Sequence, residues 1–245
     1  MARIHKRSPT YGFADAPGTG PRARTYRLLL AEAMALVKNG RVPSVAEVAV
    51  RTGVSRATAY RYFPSRSKLI GAVIGEGLAP VRHTQTAATD GPLRLRELFE
   101  KTFPLFKENE RHMRAALLLA LEHEGLERAG LLEEEVFRRG HRCDILRRAA
   151  APLRPQLGAA GFERLLKALS VIYGIEIYVV LKDIWGARDR EIEALARWML
   201  DAITSAALRD AKVADRGEVL HAPTTQRAAQ RRPSTTPGKA RVSSS

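Results

Sequence analysis

An all-α fold follows from three features of the sequence. Apolar residues recur at helical spacing from about residue 25 to 208, and alternating apolar–polar runs flanked by hairpin turns are missing. The helical pattern is stopped by helix-ending residues at Gly40, Gly53 and Pro64. The expected architecture is an N-terminal three-helix helix-turn-helix unit followed by a C-terminal helical bundle.

The first helix starts near Thr25, where Leu29, Ala33, Leu36 and Val37 share one face and Gly40 follows as a stop. The second starts at Ser44, with Glu47 three residues on. That is a capping box, in which the serine oxygen and the glutamate satisfy free amides at the helix start. Val45, Val48 and Ala49 form its apolar side, and Gly53 ends it. The third runs from Ser55 to Phe63. Pro64 cannot continue it, because it lacks an amide hydrogen and its ring disfavours helix at the residue before it. A fourth begins after Ser65, holds Leu69, Val73 and Ile74, and reaches about Pro80. Gly71, Gly75 and Gly77 weaken its interior, so a bend, a hinge or glycine packing is expected there.

Two short helices joined by the tight Gly53-Val54-Ser55 turn make a helix-turn-helix plan. On the third helix Ala59 and Phe63 face the first two helices, while Ala57, Tyr60 and Arg61 point away and Arg56 sits in the first turn. Such a helix fits the major groove of DNA. Arginine can bond two acceptors on guanine or a phosphate, a tyrosine ring can press on a thymine methyl, and small Ala57 and Thr58 allow close approach. Tyr62 lies nearer the inward side, so core packing competes with DNA contact there. Ser44 and Ser55 are caps first, and phosphate contact would be additional. The fourth helix presents free amides beside Arg66 and Lys68, an arrangement that favours a phosphate. Charge agrees: residues 22–82 carry eleven Lys and Arg against three Asp and Glu, whereas residues 83–212 carry twenty-one against twenty. A basic block on a small unit suits a polyanion.

The residues SVAEVAVRTGVSRATAYRYFPSRSKLI, Ser44–Ile70, carry a resemblance. Residues about 25–70 resemble the DNA-binding domain of the TetR family of transcriptional repressors, most specifically in the Val-Ser-x-x-Thr-x-Tyr-x-Tyr-Phe-Pro-Ser pattern at 54–65. The resemblance implies that Arg56, Ala57, Tyr60 and Tyr62 are base- or groove-facing and that Ser44, Thr58 and Arg66 contact phosphate. With Val45, Ser55, Arg61 and Lys68 these make up the candidate DNA-contacting set.

In the middle of the chain five or more longer helices are expected. They span about Pro92–Lys107 with Pro104 as a kink, Arg111–His123, Leu132–Ala150 broken near Pro152 and Pro155, about Phe162–Asp183, and about Asp189–Leu208. The last two, about 162–208, are apolar over more than one face, which points to a homodimer. The resemblance likewise implies a dimer interface in the C-terminal helices. It also implies a small-molecule effector in a cavity among the middle helices, releasing the protein from its operator by favouring a shape that fits DNA poorly. The candidate lining residues are Phe103, Phe106, His112, Met113, Leu117, Cys143, Tyr173, Glu176 and Ile177. Plain core packing is the competing reading for each.

Residues 1–21, with four prolines or glycines after Gly12, are expected to be a flexible arm, and 213–245 a disordered basic tail. The division expected is therefore arm 1–21, helix-turn-helix unit 22–82, ligand-binding and dimerisation unit 83–212, and tail 213–245. Neither a leader nor an apolar run long enough to span a bilayer is evident, and a cytoplasmic protein is the expectation. His123-Glu124 lacks the second histidine of a zinc-protease helix, because Glu127 stands there. His141 and Cys143 lie on different helix faces, and the single cysteine has no identifiable base. No metal, cofactor or enzymatic activity is expected. The rival to a sequence-specific, ligand-released repressor is a ligand-independent architectural DNA binder driven by basic tails.

Overall fold

The structure, a computed structural model, describes residues 18–137 and 139–220. Most of the expected arm and tail lies outside these residues. Where the two expectations meet described residues, they differ from what is seen: Pro21 is already the first residue of a helix, and the last helix continues to Leu220. Proline suits that first position because the amide it lacks would be unpaired there anyway.

Among the described residues every regular element is a helix. The elements are α1 (Pro21–Lys38), α2 (Val45–Thr52), α3 (Arg56–Tyr62), α4 (Arg66–Gly77), α5 (Ala79–Arg82), α6 (Gly91–Glu108) and α7 (Glu110–Ala129). They continue with α8 (His141–Ala150), α9 (Arg154–Ile172), α10 (Ile175–Tyr178) and α11 (Asp189–Leu220). A 3₁₀ turn at Ala151–Leu153 joins α8 to α9, and a π-helical turn at Val179–Ile184 follows α10.

The starts of α2, α3, α4 and α6 are set by local chemistry. Ser44, Ser55, Ser65 and Asp90 each accept the amide of the residue three positions on, at 3.1–3.2 Å. The reciprocal half of the expected capping box is replaced: the Glu47 carboxylate pairs with Arg41 at 2.6 Å. Gly53 ends α2 with φ 68°, a left-handed conformation that a side chain would strain.

Two helices depart from expectation. Of the segment expected to be helical from Leu132, the described residues before His141 are loop, with Phe137 buried in the N-terminal cluster and its amide bonded to His123 of α7. The helix expected over Phe162–Asp183 follows a kink at Gly158 (φ 64°), which divides α9 in two. It breaks at Gly174, whose φ of 151° no helix accommodates. The span of α6, Gly91–Glu108 with Pro104 inside it, agrees with the helix expected over about Pro92–Lys107.

Two apolar clusters form. One joins α1–α4 through Leu29, Leu36, Val48, Ala59, Phe63, Leu69, Ile70 and Val73, and takes in Ala115, Ala116 and Leu119 of α7 with Phe137. The other holds α6 and α8–α11 around Phe99, Phe103, Leu165, Leu169, Tyr173, Tyr178 and Ile192. Of the α4 glycines expected to bend or pack, Gly77 packs. A Cβ on Gly77 would lie 2.8 Å from Asn109 Oδ1, so glycine permits the close approach of α4 to the α6–α7 corner.

Polar contacts stitch α4 to α7 and the following loop. Buried His123 accepts the Phe137 amide at Nδ1 (3.1 Å), which places the ring proton on Nε2, 3.2 Å from Glu134 Oε1. Glu134 Oε2 accepts the Ser67 amide at 3.0 Å, and the Ser67 hydroxyl donates to the Glu135 carbonyl at 3.0 Å. Arg66 makes a two-pronged contact with Glu122 at 2.8 and 3.0 Å, and Lys68 pairs with Glu135 at 2.8 Å.

Two stability predictions follow from this packing. Glu134→Ala strips partners from the His123 ring and the Ser67 amide and should destabilise by about 1–3 kcal/mol in urea unfolding. Gly91→Ala places a methyl group into the buried Leu153 side chain and should cost about 1–3 kcal/mol in the same assay, with helix content unchanged by circular dichroism.

Candidate nucleic-acid interface

Helix α3 packs on α2 through buried Ala59, and the C-cap residue Phe63 is buried beside Tyr26 with ring centroids 5.1 Å apart. That pins one side of a seven-residue helix, about 10 Å long at the usual rise. The other side is free. Arg56, Ala57, Tyr60 and Arg61 are exposed, Tyr60 by 44%. The Ser55 hydroxyl donates to Thr58 Oγ1 at 2.9 Å while accepting the Thr58 amide, which fixes the first turn of the helix. Tyr62 is half-buried, edge-on to Tyr26 at 6.4 Å, with the Arg61 guanidinium 5.8 Å from its ring centre. Its ring body therefore serves the core while Arg61 lies over it.

The other candidates divide. Ser44 is exposed at the start of α2, but Val45 is buried, so only its backbone amide is available to a phosphate. Arg66 and Lys68 stand at the start of α4 as expected, yet their charges are taken by Glu122 and Glu135. Arg66 also donates to the Val42 carbonyl at 3.1 Å. The Ser67 amide, the kind of group that would receive a phosphate, holds Glu134 instead. No sequence signal near Arg66 announced this, because the carboxylates that meet Arg66 and Ser67 lie 56 and 67 residues from them.

A cavity of about 120 Å³ lies where α4, α5, α6, α7, α8 and the Tyr173–Ile175 break meet. Of the nine candidate ligand residues, Phe106, Met113 and Tyr173 line it. Glu176 does not line it but holds two residues that do, Arg139 and Arg142, at 2.7–2.8 Å. Burial raises the Glu176 pKa, but the hydrogen bonds and charge of Arg142 outweigh this and leave it below the usual carboxylate range. Phe103 and Ile177 are core residues outside the lining, and Cys143 is exposed. His112 and Leu117 line separate surface grooves, His112 against the end of α1 and Leu117 beside Leu118 and Leu121. Sequence reasoning missed Gly71, Ile74, Val81, Arg82, His141 and Ile145. Gly71 had been singled out as unusual, and that oddity was the available signal.

Among the described residues, no group of three or more His, Cys, Asp or Glu side chains is placed to hold a metal. Among them, too, no helix is long and apolar enough to cross a membrane.

Residues 41–73 match the family model of bacterial regulatory proteins, tetR family. No curated protein and no solved structure matches the chain. The match covers α2, α3 and the first two turns of α4, the helices that present the exposed Arg56–Arg61 face. The chain thus carries the helix-turn-helix of the tetR family and is a DNA-binding transcriptional regulator.

Proposed function

We propose that the protein is a homodimeric repressor that binds a palindromic operator through α3 and is released when a small molecule enters the cavity beside α4. The observation that carries this reading is the position of α4. Its Leu69, Ile70 and Val73 are buried with α1–α3, while Gly71 and Ile74 line the cavity. An occupant there bears directly on the helix to which the DNA-reading unit is packed. A coupling of about 1–3 kcal/mol suffices for regulation of this kind.

Pairing is supported by the surface of α9–α11. Trp198 is 67% exposed on α11 with Ala194 and Ala202 exposed one turn to either side, and Val171 of α9 is 66% exposed. Large apolar side chains exposed on neighbouring helices suit a two-fold partner. Two copies of α3 then read two half-sites, which a single seven-residue helix cannot do. Base readout falls to Arg56, Ala57, Tyr60 and Arg61. Ser44, Ser55 and Thr58 contact phosphate, and Arg66 acts first as a tie to α7.

Selection of genomic fragments by the purified protein tests the reading, which requires a palindromic site preferred over scrambled DNA at matched salt. Equal affinities would instead favour an architectural binder driven by its tails. Arg56→Ala or Tyr60→Ala should weaken operator binding by about 1–3 kcal/mol in fluorescence anisotropy, with the melting curve unchanged. Trp198→Asp should yield monomers in sedimentation velocity and lower operator affinity, while the circular dichroism spectrum stays helical.

A further inference from the structure

The cavity walls are of two kinds. Ile74, Leu78, Val81, Phe106, Met113 and Ile145 make an apolar wall from α4 to α8. The rim also holds Arg82, Arg139 and Arg142 with His141. Arg139 and Arg142 share one carboxylate, that of Glu176. The second set of Arg142 contacts is neutral, the Ser170 carbonyl at 2.8 Å, and Arg82 donates to the Gly75 carbonyl at 2.6 Å. Two guanidinium groups on one carboxylate leave this part of the rim cationic. Burial and the nearby Arg82 lower the His141 pKa, so that ring is neutral at pH 7 and does not alter the count.

We propose that this cavity binds an amphiphilic carboxylate, its apolar body against the α4–α8 wall and its carboxylate on the arginines of the rim. The inference rests on the reading of the cavity as the effector site and names the class of molecule that enters it. Guanidinium binds carboxylate by paired, charge-assisted hydrogen bonds, which are roughly twice as strong as neutral ones. A neutral ligand with the same body leaves the cationic excess unmet, and an amine adds to it. Gly174 lets the rim close up: a Cβ there would sit 3.0 Å from the Arg142 guanidinium and from Glu176 Oε2, so the backbone itself forms the seat of the ion pair.

Octanoate, octanol and octylamine share one apolar body and differ in head charge, and titration calorimetry with the full-length protein separates them. Octanoate should bind at least about tenfold more tightly than octanol, and octylamine should not bind. Arg139→Met should lower octanoate affinity about tenfold and leave octanol affinity unchanged, which also shows that the variant is folded. Gly71→Leu, which points a side chain into the cavity, should abolish both. Equal affinity for octanoate and octanol, or octanoate binding undiminished in Gly71→Leu, would overturn the inference. A parallel operator assay keeps the two ideas apart. Octanoate bound with the stated preference but without DNA release upholds the inference and removes derepression. DNA release by octanol as readily as by octanoate does the reverse.

Discussion

Helix α4 serves two packing arrangements at once, and the placement of α1–α3 depends on how it is held. Its Leu69, Ile70 and Val73 are fully buried with α1–α3, each contributing roughly 1.5–3 kcal/mol. Its Gly71, Ile74 and Gly77 face α6, α7 and the cavity. The ion pairs at its start, Arg66–Glu122 and Lys68–Glu135, are partly exposed and are worth about 0–1 kcal/mol each. Apolar burial therefore holds α4 in place, and the charged contacts choose its register. Close-packed interiors pass a displacement on instead of absorbing it, so α1–α3 and α4 form one mechanical piece.

The loop after α7 completes that arrangement. Phe137 inserts into the N-terminal cluster, and the amide it brings would be unpaired without His123 Nδ1. Glu134 then links His123 to the first turn of α4. A carboxylate at a helix start meets free amides and a favourable dipole, as a phosphate would. The chain fills this position internally, which leaves the exposed side of α3 as the main surface for base contact.

A related economy of space operates at the other end of the cavity. The helix that would have run unbroken past Tyr173 is interrupted at Gly174, and Arg142 and Glu176 pack over the break. Guanidinium groups held there by a carboxylate and carbonyls avoid most of the desolvation penalty of an unpaired charge. Arg114–Asp183 and Lys182–Glu110 tie α7 to the π-helical turn on the far side of the same break at 2.5–2.7 Å. The interruption is thus braced from two sides by charge pairs whose partners are remote in sequence.

The local rules were legible in the sequence. Serine caps at 44, 55 and 65, the glycine turn at 53, the stop at Pro64 and the buried stripe of α1 all act within a few residues, so residue type and spacing suffice to place them. The outward face of α3 was legible for the same reason, since Ala59 and Phe63 fix which side is inward. Only the tertiary structure decided that Arg66 meets Glu122, that the described residues between α7 and α8 are loop, and which residues surround the cavity. Each of these depends on a partner brought near by folding from tens of residues away, and neither helical periodicity nor charge counting encodes such a meeting.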